Sequence, residues 1–497
     1  MSNTGVIVFL VAFLITTIVR VSGSPSPLTA AQTACQLLNT TLPNLVSFPG
    51  SQQFSADISH WRIESTQNAT CSIEPATPED VSNILKIVGW SDIRAPFAVK
   101  GGGHAFNEGF SSTLGVQISM AKFNSIHFDE SSNTVTLGTG LTWDVVYAKL
   151  NPLGVTVAGG RVSGVGNAGL SLGGGYSRKT DQVGLTVDTI VSHDIVLPSG
   201  EITHVTNQSN PDLFFALRGG LNNFGIVTAI TYIAQPQTQI FGGSITYTQN
   251  ISDINKAVEA FDLTNTDPKA QLVALYGSFA TQFTVEVILF YDAPTPPPGT
   301  FDEFLKIPSV SNDAKTSTFP DFISRTAGID TGLGPIRQVL HVVPIVKYTV
   351  PILEEIVAQV TSIGKALSAR FNGSTVAVAF TAEPFTNPFA HSLGGAYPHP
   401  PSRQVTPANP GVAVQASAGA AAEPVILQAV KDLSRNVQAR AIKEGQSKSD
   451  DLLYPNYALS DTPLELMYGS NVARLRSIAE KVDPQNVMGL TGGFKFQ

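Results

Sequence analysis

Three stretches of this 497-residue chain carry residues able to do chemistry. The first is PFAVKGGGHAFNEG, residues 96–109. A short apolar run ends in Gly101, Gly102 and Gly103, and His104 follows at once. Three glycines let the main chain approach a ligand closely. Their exposed N–H groups can form a concave anion site suited to a diphosphate. His104 would then stand beside a bound cofactor. Taken alone, GGGH also reads as a flexible turn with a surface histidine. The second stretch is GGRVSGVGNAGLSLGGG, residues 159–175, where backbone must approach something closely or turn tightly. The third is Tyr454-Pro455-Asn456-Tyr457, two phenols around a rigid proline and an amide. A free tyrosine titrates near pH 10, so a phenol can act as a base only where a cation or hydrogen bonds stabilise its ionised form. Period-two alternation sets Asn456 on the face of Tyr454, which favours Tyr454 of the pair. The two tyrosines also read as packed core aromatics. His341 and Glu286 are further candidate bases, with no motif around them.

The elements that must position these stretches are visible in the periodicity. Thr77-Pro78-Glu79-Asp80 opens a helix: threonine caps, proline suits the first turn, and the acids favour the positive helix end. Val81, Ile84, Leu85 and Val88 give its apolar stripe. A strand then runs into Gly101. Residues 125–128 and 134–138 read as a hairpin, and Thr142 caps a second helix with Trp143, Val146 and Leu150 on one side. A second hairpin flanks Pro198-Ser199-Gly200, and RGGLNNFGIV, residues 218–227, feeds a strand to Ile233. After Pro236 glycine thins. A helix is expected over 253–263, strands over 271–278, 283–291 and 375–381, and helices from Pro351 to Arg370 and over 423–444. Residues 384–411 read as proline-rich loop, and Thr462-Pro463-Leu464-Glu465 as a capping box opening a helix to about Val482.

Composition narrows the class. Hydrophobic residues are 42% and charged residues 14%, too apolar for a disordered chain and ample for a large core. A net charge of −8 argues against a nucleic-acid backbone as partner. VIVFLVAFLITTIV, residues 6–19, is short for a membrane span and suits a signal-peptide core, with small residues at Ser22, Gly23 and Ser24 for cleavage. In the oxidising compartment this implies, the two cysteines, Cys35 and Cys71, should pair. Sequons at Asn39, Asn68, Asn207, Asn250 and Asn372 strengthen the reading of a secreted or endomembrane glycoprotein with no membrane anchor after cleavage. No metal site is expected.

Several motifs then agree in order: Ile73-Glu74-Pro75 with Asp80-Val81, KGGGH, GGRVSGVG, LSLGGGYS, RGGLNNFGIV, YPNY and the closing GLTGGFKF. In this series the chain resembles the FAD-linked oxidoreductases of the vanillyl-alcohol-oxidase superfamily, which carry a PCMH-type FAD-binding domain, and within it the berberine-bridge-enzyme-like branch. Specific motifs cover about residues 60–240 and 450–497, and the middle is similar in texture only. The resemblance implies a two-lobed α+β fold. Its expected parts are a leader to residue 23, an N-terminal segment over 24–63, the FAD-binding domain over 64–236, a substrate domain with an antiparallel sheet backed by helices over 237–450, and a segment over 451–497 that returns to the FAD domain.

By motif, the resemblance assigns the diphosphate to Lys100, Gly101, Gly102 and Gly103, and a covalent bond to the flavin 8α-carbon to His104. It places Gly160, Val162, Ser163, Gly166 and Gly169 along flavin and diphosphate. Gly225, Ile226 and Val227 fall beside the adenine-ribose part. Tyr454, Asn456 and Tyr457 fall at the ring and the substrate. Many relatives carry a second bond from a cysteine just before the paired glycines of the second loop; here that stretch is Leu153–Ala158, without cysteine, so a single tether is expected. The activity implied is oxidation of a small alcohol or amine, or oxidative cyclisation, in specialised metabolism. Hydride passes to flavin N5, and O2 is the second substrate, leaving as H2O2. Two other readings stand beside it. One is a carbohydrate oxidase, which the confinement of Trp61, Trp90 and Trp143 to the FAD-binding part argues against. The other is a flavin-bearing binder or cyclase that does no redox work.

Overall fold

A computed structural model of the chain describes residues 26–280, 282–326 and 336–497; the expected leader, residues 1–23, lies outside them. The helix predicted at Thr77 spans Pro78–Val88. Thr77 accepts from the Asp80 N–H while the Asp80 carboxylate accepts from the Thr77 N–H, so both orphan donors of the first turn are satisfied. Val81, Ile84, Leu85 and Val88 are buried against the strand Phe97–Lys100 and its neighbours. That strand lies parallel to Val116–Ser119 in a four-stranded sheet, and its C-terminal end delivers Gly101–His104. A five-stranded antiparallel sheet follows, in the order Ile126–Asp129, Thr134–Gly138, Ile226–Ile233, Ile190–Val196, Ile202–Thr206. Both predicted hairpins are its flanks. Cys35 on the helix Pro27–Thr41 is joined to Cys71 on the strand Cys71–Ile73. In the chain-entropy view such a 36-residue loop contributes about 3–4 kcal/mol.

Residues from Ile240 to Gln415 build a nine-stranded sheet whose strand pairs are all antiparallel. Its centre runs Ile240–Tyr247, Gln282–Tyr291, Ala270–Phe279, Val376–Ala382, Thr406–Gln415, Ile336–Leu340. The helices Val350–Arg370 and Glu423–Lys443 cover one face, and period-two alternation sends the opposite residues to the other face, toward the glycine loops. Among the described residues no helix is long and apolar enough to cross a membrane.

The structure corrects three expectations. Part of the predicted loop 384–411 is strand, since Thr406–Gln415 is extended despite Pro407 and Pro410. Pro407 lies opposite Pro344, where neither residue has an N–H to offer. Pro410 falls between two short partner strands and needs only its carbonyl, which accepts from the His341 N–H at 2.9 Å. The expected capping box at Thr462 does not form. The helix there is the single turn Glu465–Tyr468, and Gly469 at φ +51° separates it from Asn471–Val482. Thr142 precedes the helix Trp143–Leu150 as expected, but its side chain caps nothing.

Buried histidines make the fold acid-sensitive. His193 is fully buried with neither ring nitrogen partnered. Burial, with the Arg218 guanidinium adding, pushes its pKa down to about 3, and burial pushes His341 down to about 4. Below the ordinary value of 6.5 the unfolded chain binds protons that the folded one refuses, so stability falls as pH falls toward these values. Asp181 acts in the opposite sense, because burial holds it up at about 6 and the folded state takes its proton first. Burial lowers His60 and His104 as well, and raises Glu74 and Asp262 as it does Asp181. Four histidines against three such carboxyls predict a melting temperature that drops between pH 6.5 and 4. His193→Phe should flatten that limb in calorimetric scans; an unchanged slope would assign the acid sensitivity to other groups.

Candidate active site

The two glycine loops and the uncovered face of the nine-stranded sheet enclose a cavity of about 500 Å³. It receives most of the residues singled out in the sequence. Gly101, Gly102, Gly103 and His104 line one end, with Val162, Gly166 and Gly169 opposite. Gly225, Ile226 and Val227 close the same end, while Tyr454, Asn456 and Tyr457 stand where the loops meet the sheet. Glu286 also lines it, from the sheet. Four candidates fall elsewhere. Lys100 turns its Nζ to the carbonyls of Ala56 and Ser59, at 2.8 and 2.9 Å. Gly160 packs on the Trp143 indole, and neither it nor Ser163 reaches the cavity wall. His341 is outside the wall as well.

The residues present fit a flavin dinucleotide. A Cβ on Gly102 would lie 2.5 Å from the Gly166 nitrogen, so the two loops touch backbone to backbone and only glycine permits it. Among the described residues the N–H groups of Gly102 and Gly103 find no acceptor, which leaves them free for a diphosphate. A Cβ on Gly169 would meet nothing within 4 Å, so the second loop borders open space. Val99, Met120 and Val165 add apolar walls for a flat ring. His104 stacks on Trp61 with ring centroids 4.3 Å apart and planes 12° apart. Burial pushes its pKa down to about 4, so the imidazole is neutral at pH 7.

At the sheet end the polar groups form one cluster. The Arg161 guanidinium meets the Glu383 carboxylate at 2.6 Å and donates to the Tyr457 oxygen at 3.1 Å. Tyr457 in turn donates its proton to Glu383 at 3.2 Å. Burial pushes the Tyr457 phenol up, Glu383 adds to this, and Arg161 opposes it. Tyr454 is differently placed. Its oxygen accepts from the Gly175 N–H at 3.0 Å and from Asn456 Nδ2 at 2.9 Å. Burial raises its pKa too, against those two donors. Residues 455–457 form one 3-10 turn, so alternation does not set their faces; Asn456 reaches Tyr454 by folding back. Arg161, Arg178, Glu383 and Trp61 are functional candidates that the sequence reading missed. Arg161 lies inside GGRVSGVG and was legible there as the one charged residue; Glu383 follows a strand end and carries no motif. Among the described residues no group of three acidic, histidine or cysteine side chains could hold a metal.

Comparison with known proteins places this geometry. The family described as FAD binding domain matches residues 69–206. The FAD-dependent monooxygenase drtC of Aspergillus calidoustus is 30% identical over 89% of this chain and 86% of its own length. Among solved structures, 6-hydroxy-D-nicotine oxidase from Arthrobacter nicotinovorans superposes with a TM-score of 0.75 at 19% identity, over 90% of this chain and 96% of that one. Berberine bridge enzyme from Eschscholzia californica does so with a TM-score of 0.76 at 16% identity, over 92% and 97%. At these identities the two structures speak for the fold.

Proposed function

The chain belongs to the FAD-linked oxidoreductases of the vanillyl-alcohol-oxidase superfamily, berberine-bridge-enzyme-like branch, and from that premise we propose that it is an oxidase of a small organic molecule in specialised metabolism. The observation that carries this is the meeting of a glycine-loop cradle and the Arg161–Glu383–Tyr457 cluster in one cavity. When bound, FAD supplies a two-electron acceptor that oxygen can regenerate with release of peroxide. The chain's own work is to hold it, to orient the substrate and to handle a proton. Arg161 orients Glu383 and occupies one lone pair of the Tyr457 oxygen. The other lone pair is left for a substrate hydroxyl or amine. As that proton reaches Tyr457, the phenol's own proton passes to Glu383, so Tyr457 stays neutral throughout. His104, neutral and stacked, is the residue we assign to a single covalent bond with the flavin, since both cysteines are in the disulfide.

The test is an untargeted small-molecule extract incubated with the holoenzyme, read by mass spectrometry for products lighter by two hydrogens and by a peroxide assay. Absence of both across extracts would end the oxidase reading and favour the flavin-bearing binder. A carbohydrate oxidase is the second reading. Its weakness is that no tryptophan lies on the sheet wall of the cavity; Trp61 sits at the histidine end, Trp143 is buried in the core and Trp90 faces solvent.

Secretion is part of the proposal. Asn39, Asn68, Asn207, Asn250 and Asn372 are all exposed, as glycan acceptors must be. Protein recovered from its native host is expected to begin just after residue 23 and to lose mass on treatment with an endoglycosidase. An unglycosylated protein that retains Met1 would overturn it.

A further inference from the structure

The sheet register fixes where the charged groups of the cavity stand. On the strand Ala270–Phe279, alternation puts Gln271, Val273 and Leu275 on the cavity side. Val273 lies opposite Ile288, and Leu275 lies between Glu286 and Thr381. Glu383 follows Ala382, the partner of Ala274, and so stands beside Val273. Successive rows along a strand are about 7 Å apart. Toward the Ala270 end the order is therefore Glu286 with Leu275, then Glu383 with the apolar pair Val273 and Ile288, then Gln271.

Arg178 stands at the Gln271 end. It follows the second glycine loop, lines the same cavity and is 3% exposed. One Nη donates to the Gln271 side chain at 3.1 Å, and the guanidinium lies over the Phe322 ring. Among the described residues its Nε and its other Nη find no acceptor, and it has no ion pair. Glu383, one row away, is held by Arg161 at 2.6 Å, and Glu286 is two rows away. Burial, with Arg161 adding, pushes its pKa down to about 9, which leaves it a cation at pH 7. A buried guanidinium without a counter-charge is unfavourable, and an anion delivered by a ligand removes the penalty. Between Arg178 and Glu383 the wall is the apolar pair Val273 and Ile288, which suits the body of such a ligand.

We propose that the substrate is a small organic acid bound as its carboxylate. The carboxylate sits on Arg178, the apolar body lies along Val273 and Ile288, and the hydroxyl or amine to be oxidised reaches Tyr457 beside Glu383, one row away. The proposal rests on the oxidase reading and deepens it by naming the substrate class of the same site. Its test reads binding alone, so a failed titration leaves the oxidase reading standing, and an extract without turnover leaves the titration standing. Holoprotein is titrated in a calorimeter with 4-(hydroxymethyl)benzoate, which has about the span of one row, with 4-(hydroxymethyl)benzamide and with benzoate. The hydroxy acid is expected to bind about tenfold more tightly than its amide, the gain of charge-assisted contacts. Arg178→Met, which keeps the length of the side chain and removes its charge, should erase that preference. Tyr457→Phe should weaken the hydroxy acid about fivefold through one lost hydrogen bond and leave benzoate unchanged. The proposal is overturned if wild-type protein binds acid and amide alike, or binds neither. It is equally overturned if Arg178→Met shifts acid and amide by the same factor, which would assign the guanidinium to the flavin or to the fold. Equal weakening of benzoate and the hydroxy acid by Tyr457→Phe would overturn the placement of the reacting end. The wild-type comparison decides the charge question even where the Arg178 variant does not fold.

Discussion

Replacing Tyr457 by Phe is expected to slow anaerobic bleaching of the bound flavin by substrate about 100-fold, with flavin content unchanged. The argument is about where a proton can go. Burial and the adjacent Glu383 both raise the Tyr457 phenol, so it does not rest as a phenolate waiting for a proton. It can still relay one, because its O–H already donates to Glu383 at 3.2 Å and the carboxylate is fixed by Arg161. Phe removes the relay and nothing else of similar volume. Glu383→Gln removes the terminal acceptor, and its loss should be at least as large. Tyr454→Phe is the control. That oxygen receives two N–H donors and hands on no proton to an acceptor, so the variant should lose about 1–3 kcal/mol of stability through the stranded Gly175 N–H and Asn456 amide while keeping its reduction rate within about tenfold. Should both Tyr457→Phe and Glu383→Gln bleach at the wild-type rate, the acceptor lies on the sheet, where Glu286 is the remaining cavity carboxylate.

Why one tyrosine rather than the other was not legible in the chain follows from this geometry. YPNY announces two phenols and an amide, but the choice between them depends on Glu383, some seventy residues earlier and after an unremarked strand end. A lone glutamate there looks like any solvated one until the sheet's register brings it to the cavity. The glycine loops were legible for the opposite reason. Backbone contact between Gly102 and Gly166 tolerates no side chain, so the requirement is written in residue type. Lys100 shows the limit of motif reasoning: it sits in KGGGH, yet its ammonium is spent on the Ala56 and Ser59 carbonyls.

The fold divides in the same way. Helices whose stripes and caps agree, such as Pro78–Val88, are readable because local and tertiary demands coincide. The strand Ile240–Tyr247 goes unread because Gly242 and Gly243 interrupt its alternation, although the sheet pairs it over its whole length with Gln282–Tyr291 or its neighbours. Thr406–Gln415 goes unread because two prolines argue against a central strand, and only its partners show that neither proline is asked for an N–H. The sheet wall of the cavity takes Leu275, Ala379 and Gly411 from three distant segments; no local pattern brings them together.

His104→Ala is expected to abolish the acid-stable yellow colour of the protein entirely. Wild-type protein precipitated with acid should keep its flavin, and a digest should show one flavin-bearing peptide, the one containing His104. Bond formation at a ring nitrogen requires a free lone pair, and burial supplies it by holding the imidazole neutral until about pH 4. It also requires an orientation. Trp61 fixes the ring plane by stacking at 4.3 Å, and its own position is tied to the loop, since the Trp61 N–H donates to the Gly103 carbonyl at 3.1 Å. Trp61→Ala should therefore slow attachment during reconstitution with FAD, while Trp61→Phe, which keeps a stacking face, should restore most of the rate. The lack of a free cysteine makes the outcome clean. Cys35 and Cys71 are joined to each other, and among the described residues no free cysteine remains to hold the flavin once His104 is gone. If the His104→Ala protein stays yellow after acid, another side chain carries the bond; if the wild-type protein bleaches in acid, the cradle holds its cofactor by the glycine loops alone.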